Sequence, residues 1–357
     1  MRAALLREYG EPLAIREVPE PKAGLDDAVV RVDACGVCRS DWHAWMGHGE
    51  WADDRVPRGQ VLGHEPAGEV VAVGRGVDRF EPGDRVVVPF SLGDGTCPYC
   101  RRGRGNVCAD GRALGFEPDA PGAFAERVAV PAADYNLVER PPWLDATAAA
   151  ALGCRYMTAY HALAERAGLR GGDELAVHGC GGVGLSAVQL GDAMGARVVA
   201  IDLDDGALSL ANDLGADAVV NPTDLSDESV SDRVRDLTED GVDVSVDALG
   251  IAETCRNSVR SVRPRGTHVQ VGLTTEAERG EVSLPTDWMT RWEVSFVGAR
   301  GMPPTNYDDL FALVEATDVA PGALVGRELT LSEVSERLAA MGEYDARGVE
   351  VVTDFGR

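Results

Sequence analysis

The chain has 357 residues, 45% of them apolar, and a formal net charge of −25 at pH 7. This length exceeds what one compact core usually absorbs, so we expect two packed domains, and the apolar content excludes a disordered chain. The charge produces a negative field that repels phosphate backbones and anionic headgroups, which excludes nucleic acids and anionic membranes as partners.

The basic residues are almost all arginine, because Lys22 is the only lysine beside 33 arginines. A GC-rich genome exchanges Lys for Arg, but it does not make a chain this acidic. An acidic surface keeps a protein soluble where molar salt screens its self-repulsion, and the same charge destabilises the fold in dilute buffer. We therefore expect a protein adapted to the cytosol of a halophile.

The N-terminal segment, MRAALLREYGEP, is charged and lacks the apolar core of a signal peptide. No run of about 18 apolar residues follows it, so we expect a cytoplasmic protein. In a chain without an export signal, the eight cysteines are expected as metal ligands or buried thiols rather than disulfides. Cys35, Cys180 and Cys255 are expected as thiols of the core.

Up to about residue 140 the pattern predicts an antiparallel or barrel-like β domain, since short β-rich runs are broken by Gly and Pro. The predicted strands are 29–32, 69–73, 85–88 and 126–130. The tail predicts helices at 308–315 and 331–341 and a strand at 348–352, and we expect it to fold back on the β domain.

From residue 173 the pattern predicts alternating strands and helices. The strands are 174–178, 197–202, 218–221, 243–249, 267–273 and 293–299, and the helices are 185–194, 207–214, 229–238 and 253–262. Six apolar strands linked by helical crossovers indicate an α/β fold with a doubly wound parallel sheet.

A Gly-rich turn, Gly179-Cys180-Gly181-Gly182-Val183-Gly184, follows the first of these strands and fits G-x-G-x-x-G. The glycines suit a tight turn, close approach to a pyrophosphate and helix packing. Asp202, which ends the next strand, can bind both ribose hydroxyls and repel a 2′-phosphate. We expect a nicotinamide dinucleotide here, NAD rather than NADP. NADP remains an alternative, because the side chain of Arg170 or Arg197 could reach its 2′-phosphate. For Asp202, the alternative role is a cap for the next turn.

Three candidate metal ligands, Cys38, His64 and Cys154, lie far apart in the sequence, and each alone would be an ordinary core residue. Their joint occurrence beside a dinucleotide fold changes that interpretation. The chain resembles the zinc-dependent medium-chain alcohol dehydrogenases over nearly its whole length. The resemblance lies in the segment from Cys97 to Cys108 and in the motifs CGVCRSDWH, GHEPAGEVVAVG, LGCRYMTAYHAL, VHGCGGVGLSAVQL and SVDALG.

The resemblance implies a GroES-like β-rich catalytic domain at residues 1–150, completed by about 296–357, and a six-stranded Rossmann domain at 151–295. It implies zinc in the cleft between them, held by Cys38, His64 and Cys154, with a fourth position for the substrate oxygen. By this resemblance, the zinc would act as a Lewis acid on the alcohol oxygen and so favour hydride transfer from the alcohol to the nicotinamide. Glu65 is implied as a carboxylate behind the ligands or an occasional fourth ligand, with a surface or interdomain salt bridge as the alternative.

The resemblance also implies a proton relay from the substrate through Ser40 and the cofactor ribose to His43. A hydroxyl both accepts and donates, and an imidazole passes the proton to solvent near pH 7. Arg39 is expected to meet the pyrophosphate, and Thr158 to pack on the nicotinamide. The alternatives are a turn cap for Ser40 and packing against a neighbouring tryptophan for His43.

A second cysteine cluster departs from the family pattern. Cys97, Cys100 and Cys108 provide three ligands of a structural zinc lobe, but Asp94 stands where relatives usually carry a fourth cysteine. Zinc accepts a carboxylate oxygen, so we expect these four residues to hold zinc less tightly than four thiolates. An empty lobe with free thiols is the alternative, and a DNA-binding role is implausible at this net charge.

The sequence thus predicts an enzyme, a zinc-dependent NAD(P)-linked alcohol dehydrogenase that reversibly converts a primary or secondary alcohol into an aldehyde or ketone. A polyol or sugar dehydrogenase and a non-catalytic zinc- and dinucleotide-binding redox sensor are the alternatives. A sensor needs neither an open zinc position nor a proton relay. By resemblance we expect a tetramer or dimer. Candidate pocket residues, which favour an uncharged hydrophobic alcohol but also fit a core, are Trp42, Trp45, Trp51, Phe90 and Phe116.

Overall fold

The computed structural model describes residues 1–48, 55–225, 229–342 and 348–356. The chain divides into two compact units. The first contains Met1–Met157, Gly301–Ala312 and Ala320–Arg357, and the second contains Thr158–Arg300 and Leu313–Val319. Among the helices in these described ranges, none has the length and apolarity needed to span a membrane.

Short strands dominate the N-terminal part of the first unit. They are β1 (Arg2–Leu5), β2 (Ala14–Glu17), β3 (Ala28–Val37), β4 (Glu65–Val73), β5 (Arg85–Val87), β6 (Ser91–Leu92), β7 (Arg112–Ala113), β8 (Arg127–Val130) and β9 (Val138–Glu139). The two longest, β3 and β4, pair antiparallel, with Gly36 opposite Glu65. This pairing brings the end of β3, where Cys38 follows, beside the start of β4, which His64 precedes.

Helices in this unit are short. They are α1 (Arg39–Met46), α2 (Ala133–Asn136) and α3 (Ala146–Ala151), with 3₁₀ turns at Cys100–Arg102 and Gly105–Val107. Helical turns follow at Leu152–Tyr156, α4 (Met157–Tyr160) and His161–Ala167. Gly153 has φ −43° and ψ −120°, so the chain kinks between α3 and the helical turns that carry Cys154.

The second unit contains the six-stranded sheet. Its strands are β10 (Glu174–His178), β11 (Arg197–Ile201), β12 (Ala218–Val220), β13 (Val242–Asp247), β14 (Val262–Gln270) and β15 (Ser295–Gly298), and its helices are α5 (Gly182–Ala193), α6 (Asp205–Asp213), α7 (Val230–Leu237), α8 (Ala252–Ser261) and α9 (Thr286–Trp292), with a 3₁₀ turn at Pro222–Asp224. The order is β12-β11-β10-β13-β14-β15, and every pair is parallel. The predicted doubly wound sheet is therefore confirmed.

The strand order reverses between β10 and β13, so the glycine loop after β10 lies at the switch point, where such sheets bind ligands. Val199, Val234 and Val242 lie in the apolar core that holds the crossover helices on this sheet.

The tail contributes α10 (Tyr307–Ala316), β16 (Val325–Thr330), α11 (Val334–Gly342) and β17 (Val349–Asp354), with 3₁₀ turns at Pro304–Asn306, Pro321–Leu324 and Leu331–Glu333. It completes a seven-stranded sheet of order β16-β17-β3-β4-β5-β9, to which β8 adds by pairing with β3. β17 runs antiparallel to β3, with Val352 opposite Cys35. The predicted antiparallel β domain is confirmed for the strand pairs up to residue 140, and the tail adds one parallel pair, β16 with β17.

Candidate active site

The turn from β3 into α1 is organised by Asp41, a fully buried carboxylate. Its Oδ2 accepts the N–H of Cys38 at 3.0 Å, and its Oδ1 accepts the N–H of Gly63 at 3.1 Å. The same Oδ1 lies 2.9 Å from Nδ1 of His64. One carboxylate therefore fixes both the Cys38 turn and the turn that carries His64 into β4.

Four side chains converge beside these turns: Cys38, His64, Glu65 and Cys154 each offer a ligand atom, and these atoms lie within 4.8 Å of one another. The Nε2 atom of His64 is buried and has no hydrogen-bond partner among the described residues. A buried nitrogen without a partner costs free energy unless a ligand takes its lone pair. Two cysteines and one histidine form a donor set of catalytic zinc, so the residues present fit this ion.

The pKa values of Cys38 and His64 are shifted because the charged and polar groups of the site are buried close to one another. A hydrogen bond with Cys154 lowers the pKa of Cys38 well below its ordinary value, and the nearby Arg155 guanidinium acts in the same direction. Burial lowers the pKa of His64, but the Asp41 carboxylate and the Cys38 sulfur together outweigh it, and the net direction is upward. The site thus favours a thiolate at Cys38, the form that binds metals.

Glu65 lies at the centre of a buried ion pair within the first unit. Its Oε1 accepts the N–H of Cys154 at 3.0 Å, and its Oε2 lies 2.7 Å from Nη1 of Arg155. Arg155 also donates to the carbonyl oxygen of Val37. Burial raises the pKa of Glu65 to about 7 against the opposing effect of Arg155. The salt-bridge alternative is met in part: Glu65 pairs with Arg155, but the pair is buried, with Glu65 1% exposed, and both residues belong to the first unit.

Ser40 and His43 lie in α1 behind Cys38. The Ser40 hydroxyl is 3.8 Å from the Cys38 sulfur. The ring of His43 packs edge-on against Trp42, as the alternative interpretation expected, and its Nδ1 lies 3.4 Å from Nδ1 of His48. Burial, together with Arg39 and His48, lowers the pKa of His43 to about 4, so its imidazole is neutral at pH 7.

Arg39 makes contacts within the first unit: its guanidinium stacks over Trp42, 4.5 Å from the ring centroid, and donates to the carbonyl oxygen of Met341 at 2.8 Å. Thr158, the first residue of the second unit, is 4% exposed, and its hydroxyl is buried without a hydrogen-bond partner in the described chain. The roles expected of both residues toward a cofactor stay predictions.

Two of the aromatic pocket candidates lie beside His64. The ring centroid of Phe116 is 4.9 Å from that of His64, and the ring centroid of Phe90 is 5.7 Å away. Trp45 is instead buried, with its indole N–H donating to the carbonyl oxygen of Glu11. Trp51 lies outside the described residues.

In the second unit, the Gly-rich turn joins β10 to α5. Gly179 adopts φ +94°, a conformation that L side chains rarely adopt, and a Cβ on Gly184 would lie 1.8 Å from the carbonyl oxygen of Gly179. A Cβ on Gly181 would meet nothing within 4 Å, so the backbone there is open to a ligand. Gly182 and Val183 begin α5, whose free N–H groups suit a pyrophosphate. The loop therefore fits a dinucleotide.

Asp202 directly follows β11 and braces this loop. Its Oδ2 accepts the N–H of Cys180 at 2.6 Å, and its Oδ1 accepts the N–H of Asp204 at 2.9 Å. The second contact matches the turn-cap alternative. The contact with the N–H of Cys180 was not expected, and it links the carboxylate to the glycine loop beside which it is predicted to bind the cofactor ribose.

The remaining predicted ligands, Asp94, Cys97, Cys100 and Cys108, also come together, with ligand atoms within 4.8 Å of one another. The sulfurs of Cys97 and Cys108 are 3.7 Å apart, close to the separation of about 3.8 Å that tetrahedral zinc with bonds of about 2.3 Å requires. Asp94 also caps the turn, since its Oδ1 accepts the N–H groups of Thr96 and Cys97. We call these four residues the cysteine lobe, and its donor set fits zinc.

Three cysteines and two histidines outside these clusters are buried core residues. The sulfur-bearing side chains of Cys35, Cys180 and Cys255 are buried, as predicted. His178 and His268 are at most 1% exposed. Burial lowers the pKa of His178 to about 3 and that of His268 to about 4, so both are neutral core residues.

Asp41 and Arg155 are the functional residues that sequence reasoning missed. Asp41 carried a local signal, because a carboxylate three residues after Cys38 can cap the start of a helix. Arg155 follows the ligand Cys154, but its partner Glu65 is 90 residues away along the chain. Only the fold reveals that contact.

Comparisons with known proteins agree with this geometry. The alcohol dehydrogenase GroES-like domain family matches residues 24–142, and the zinc-binding dehydrogenase family matches residues 182–316. An NAD-dependent alcohol dehydrogenase of Saccharolobus solfataricus is 32% identical, with 99% of each chain covered. The chain belongs to the zinc-dependent medium-chain alcohol dehydrogenases. Their reaction is oxidation or reduction at a CH–OH group, with zinc and a nicotinamide dinucleotide.

Similarity extends to a solved structure and to a second substrate class. An alcohol dehydrogenase of Thermus sp. ATN1 superposes with a TM-score of 0.89 at 32% identity, covering 99% of each chain. A sorbitol dehydrogenase of Halalkalibacterium halodurans is 31% identical, with 97% of each chain covered. The family therefore includes both simple alcohol and polyol enzymes among the relatives of this chain.

Proposed function

We propose that this protein oxidises an uncharged primary or secondary alcohol with NAD, at a zinc site formed by Cys38, His64 and Cys154, and catalyses the reverse reduction. The observation that supports this most is the buried, unpartnered Nε2 of His64 beside two thiols. When bound, zinc supplies a Lewis acid for the substrate oxygen and NAD accepts the hydride. The alcohol carbon loses a hydride and its oxygen loses a proton.

The chain's own residues hold the ligands and move that proton. Asp41 holds the imidazole of His64 through Nδ1, so the other nitrogen keeps its lone pair for the ion. Ser40, 3.8 Å from the Cys38 sulfur, is placed to take the proton from the alcohol. His43 is neutral at pH 7, because burial lowers its pKa to about 4, so in the relay it would hold the proton only briefly and pass it on to solvent.

Glu65 serves as the carboxylate behind the ligands. Both of its oxygens already have partners, the Cys154 amide and Arg155, so this conformation leaves the fourth metal position to substrate. Ligation by Glu65 would require the ion pair with Arg155 to break.

A preference for NAD over NADP is part of the proposal. Asp202 places a carboxylate directly beside the glycine loop, and Asp204 and Asp205 follow it. Three negative charges at this position disfavour the 2′-phosphate of NADP. Arg39 is proposed to meet the pyrophosphate, and Thr158 to pack on the nicotinamide.

The cysteine lobe is proposed to hold a second, structural zinc. Hydrogen bonds from the N–H groups of Cys97 and Thr96 lower the pKa of Asp94 to about 2, so it is an anionic ligand at neutral pH. Its carboxylate replaces a softer thiolate, and we expect weaker retention than by four cysteines.

The aromatic rings beside His64 favour a hydrophobic alcohol over a polyol. Phe90 and Phe116 both face the His64 ring, and a polyol would need hydrogen-bonding partners at such positions. A polyol substrate, as in the sorbitol dehydrogenase relative, is the second candidate. We further propose that the protein is a homo-oligomer and that it is adapted to molar salt. We also propose a cytoplasmic location, where its thiols stay reduced.

A substrate and cofactor panel tests this function. Nicotinamide absorbance would be followed in molar KCl with added zinc, with NAD and NADP separately, for ethanol, benzyl alcohol, sorbitol and glucose. We expect turnover of the simple alcohols with NAD. Preference for sorbitol would support the polyol candidate, and a bound cofactor without turnover of any carbonyl or alcohol would favour the redox sensor.

A further inference from the structure

Tyr135 lies in α2, against the cysteine lobe. A Cβ on Gly105 would lie 2.1 Å from the Tyr135 hydroxyl oxygen, so this hydroxyl reaches the lobe's backbone. A Cβ on Gly93 would lie 2.8 Å from Cε1 of Tyr135 and 2.9 Å from the sulfur of Cys100. The phenol ring and that sulfur therefore meet over the same glycine.

Asn136 holds α2 in this position. Its amide nitrogen donates to the carbonyl oxygen of Gly93 at 2.8 Å, and its amide oxygen accepts the N–H of Gly93 at 2.9 Å. Asn136 is fully buried, so this paired contact fixes the helix against Gly93, the residue directly before Asp94 of the lobe. The place of the neighbouring Tyr135 is consequently set by the fold and does not depend on a bound ion.

The Tyr135 hydroxyl is buried and lacks a hydrogen-bond partner within the described part of the chain. A phenol is protonated at neutral pH, so its O–H donates to a neighbouring anion. A thiol at Cys100 is a weak acceptor, whereas a metal-bound thiolate is a strong one. The unpartnered hydroxyl thus lies where a thiolate would satisfy it.

The charge of the lobe makes such a donor useful. Three thiolates and one carboxylate bring four negative charges, which a divalent ion only half neutralises. Backbone N–H groups donate to the sulfurs of Cys108, from Asp94, and of Cys97, from Cys100, each at 3.4 Å. Gly95 donates to the sulfur of Cys100, and Tyr135 would add a side-chain donor to the same atom.

We propose that Tyr135 is a positioning residue of the cysteine lobe: its phenol donates a hydrogen bond to the metal-bound Cys100 thiolate and slows release of the ion. This inference rests on the proposed structural zinc. Outer hydrogen bonds of this kind typically change metal affinity by about 10- to 100-fold.

The test compares Tyr135→Phe with Tyr99→Phe as the matched control. Tyr99 lies between Cys97 and Cys100 in the sequence, but its side chain is 47% exposed. Zinc content would be measured for purified protein, followed by the rate of zinc release to a chromogenic chelator. Cys97→Ser, which removes a lobe ligand, identifies the release phase that belongs to the lobe.

We expect two zinc ions per chain in the wild type and in both tyrosine variants, with lobe release about tenfold faster in Tyr135→Phe alone. With cobalt in the lobe, the thiolate-to-metal charge-transfer band should move to longer wavelength in Tyr135→Phe, because an unbonded thiolate is a better electron donor. A purely structural role of the ring would not move this band.

Unchanged release and an unshifted band in Tyr135→Phe would overturn the inference, even if the variant unfolded at a lower temperature. A single zinc per wild-type chain that Cys97→Ser leaves in place would overturn both the lobe's occupancy and the inference. Neither result would affect the catalytic zinc, whose content and turnover are measured separately through Cys38.

Discussion

The imidazole of His64 and the carboxylate of Asp41 form a buried hydrogen bond, 2.9 Å from Nδ1 to Oδ1, in which neither side chain is more than 1% exposed. The carboxylate fixes the orientation of the ring and leaves Nε2 directed to the ligand cluster. It also accepts the N–H of Cys38, so one residue positions two of the proposed zinc ligands.

Replacing this carboxylate should weaken zinc binding without removing a ligand. Asp41→Asn keeps the size of the side chain but loses its charge, and we expect zinc affinity at the catalytic site to fall by about 10- to 100-fold. Competition with a chelator measures this. Asp33→Asn is the control, because Asp33 is a partly exposed residue of β3 that pairs with Arg31. Equal zinc affinity in wild type and Asp41→Asn would contradict the role given to Asp41.

The proton relay predicts a requirement for a hydroxyl at position 40. Ser40→Ala should lower kcat by about 100-fold, since general acid–base groups contribute effects of about this size or larger. Ser40→Thr retains the hydroxyl and should recover most of the rate. NAD binding, followed by nicotinamide fluorescence titration, should stay unchanged in both variants. If Ser40→Ala and Ser40→Thr turned over equally well, the relay would not pass through this residue.

Asp202 should set the choice of cofactor. Asp202→Asn removes the charge that opposes a 2′-phosphate, and we expect the ratio of kcat/KM for NAD to that for NADP to fall by about tenfold or more. Asp213→Asn is the control for the general field, because it removes the same charge from the exposed far end of α6. Equal shifts in the two variants would assign the preference to the net field instead of to Asp202.

The acidic composition predicts that salt stabilises the fold. Unfolding temperature should rise by several degrees between dilute buffer and molar KCl, since screening reduces repulsion among the acidic groups. Salt also screens exposed ion pairs such as that of Arg279 with Glu276, but this costs little stability because pairs this exposed contribute little. Replacing KCl with NaCl at equal ionic strength is the control. A fold equally stable with and without salt would refute adaptation to salt.

Much of the second unit was predictable because its strands are continuous apolar runs. β10 was predicted with the bounds that the structure has, and the other strands were found within a few residues. β14 begins at Val262, five residues before the predicted start, because Arg263 and Pro264 interrupt the apolar pattern. α9 was missed because Thr286–Trp292 is only seven residues long, so Trp288, Met289 and Trp292 give too short an apolar pattern to identify a helix.

The candidate site, too, was predictable from the sequence only in part. Short motifs indicated Cys38, His64 and Cys154, and the structure brings them together with Glu65. α1 was not predicted, since its eight residues carry the polar groups of the ligand turn in place of an apolar stripe. The contacts of Arg155 and Tyr135 join distant segments, so their roles depend on sheet pairing that no local pattern specifies.

Metal dependence of turnover tests the central claim most directly. Nicotinamide absorbance would be followed with a simple alcohol and NAD, before and after chelation and re-addition of zinc, in the wild type, Cys38→Ala and the buried-thiol control Cys255→Ala. The account predicts turnover that chelation removes and zinc restores in the wild type and Cys255→Ala, and none in Cys38→Ala although it still binds NAD. Normal turnover by Cys38→Ala would contradict a reaction at this zinc site.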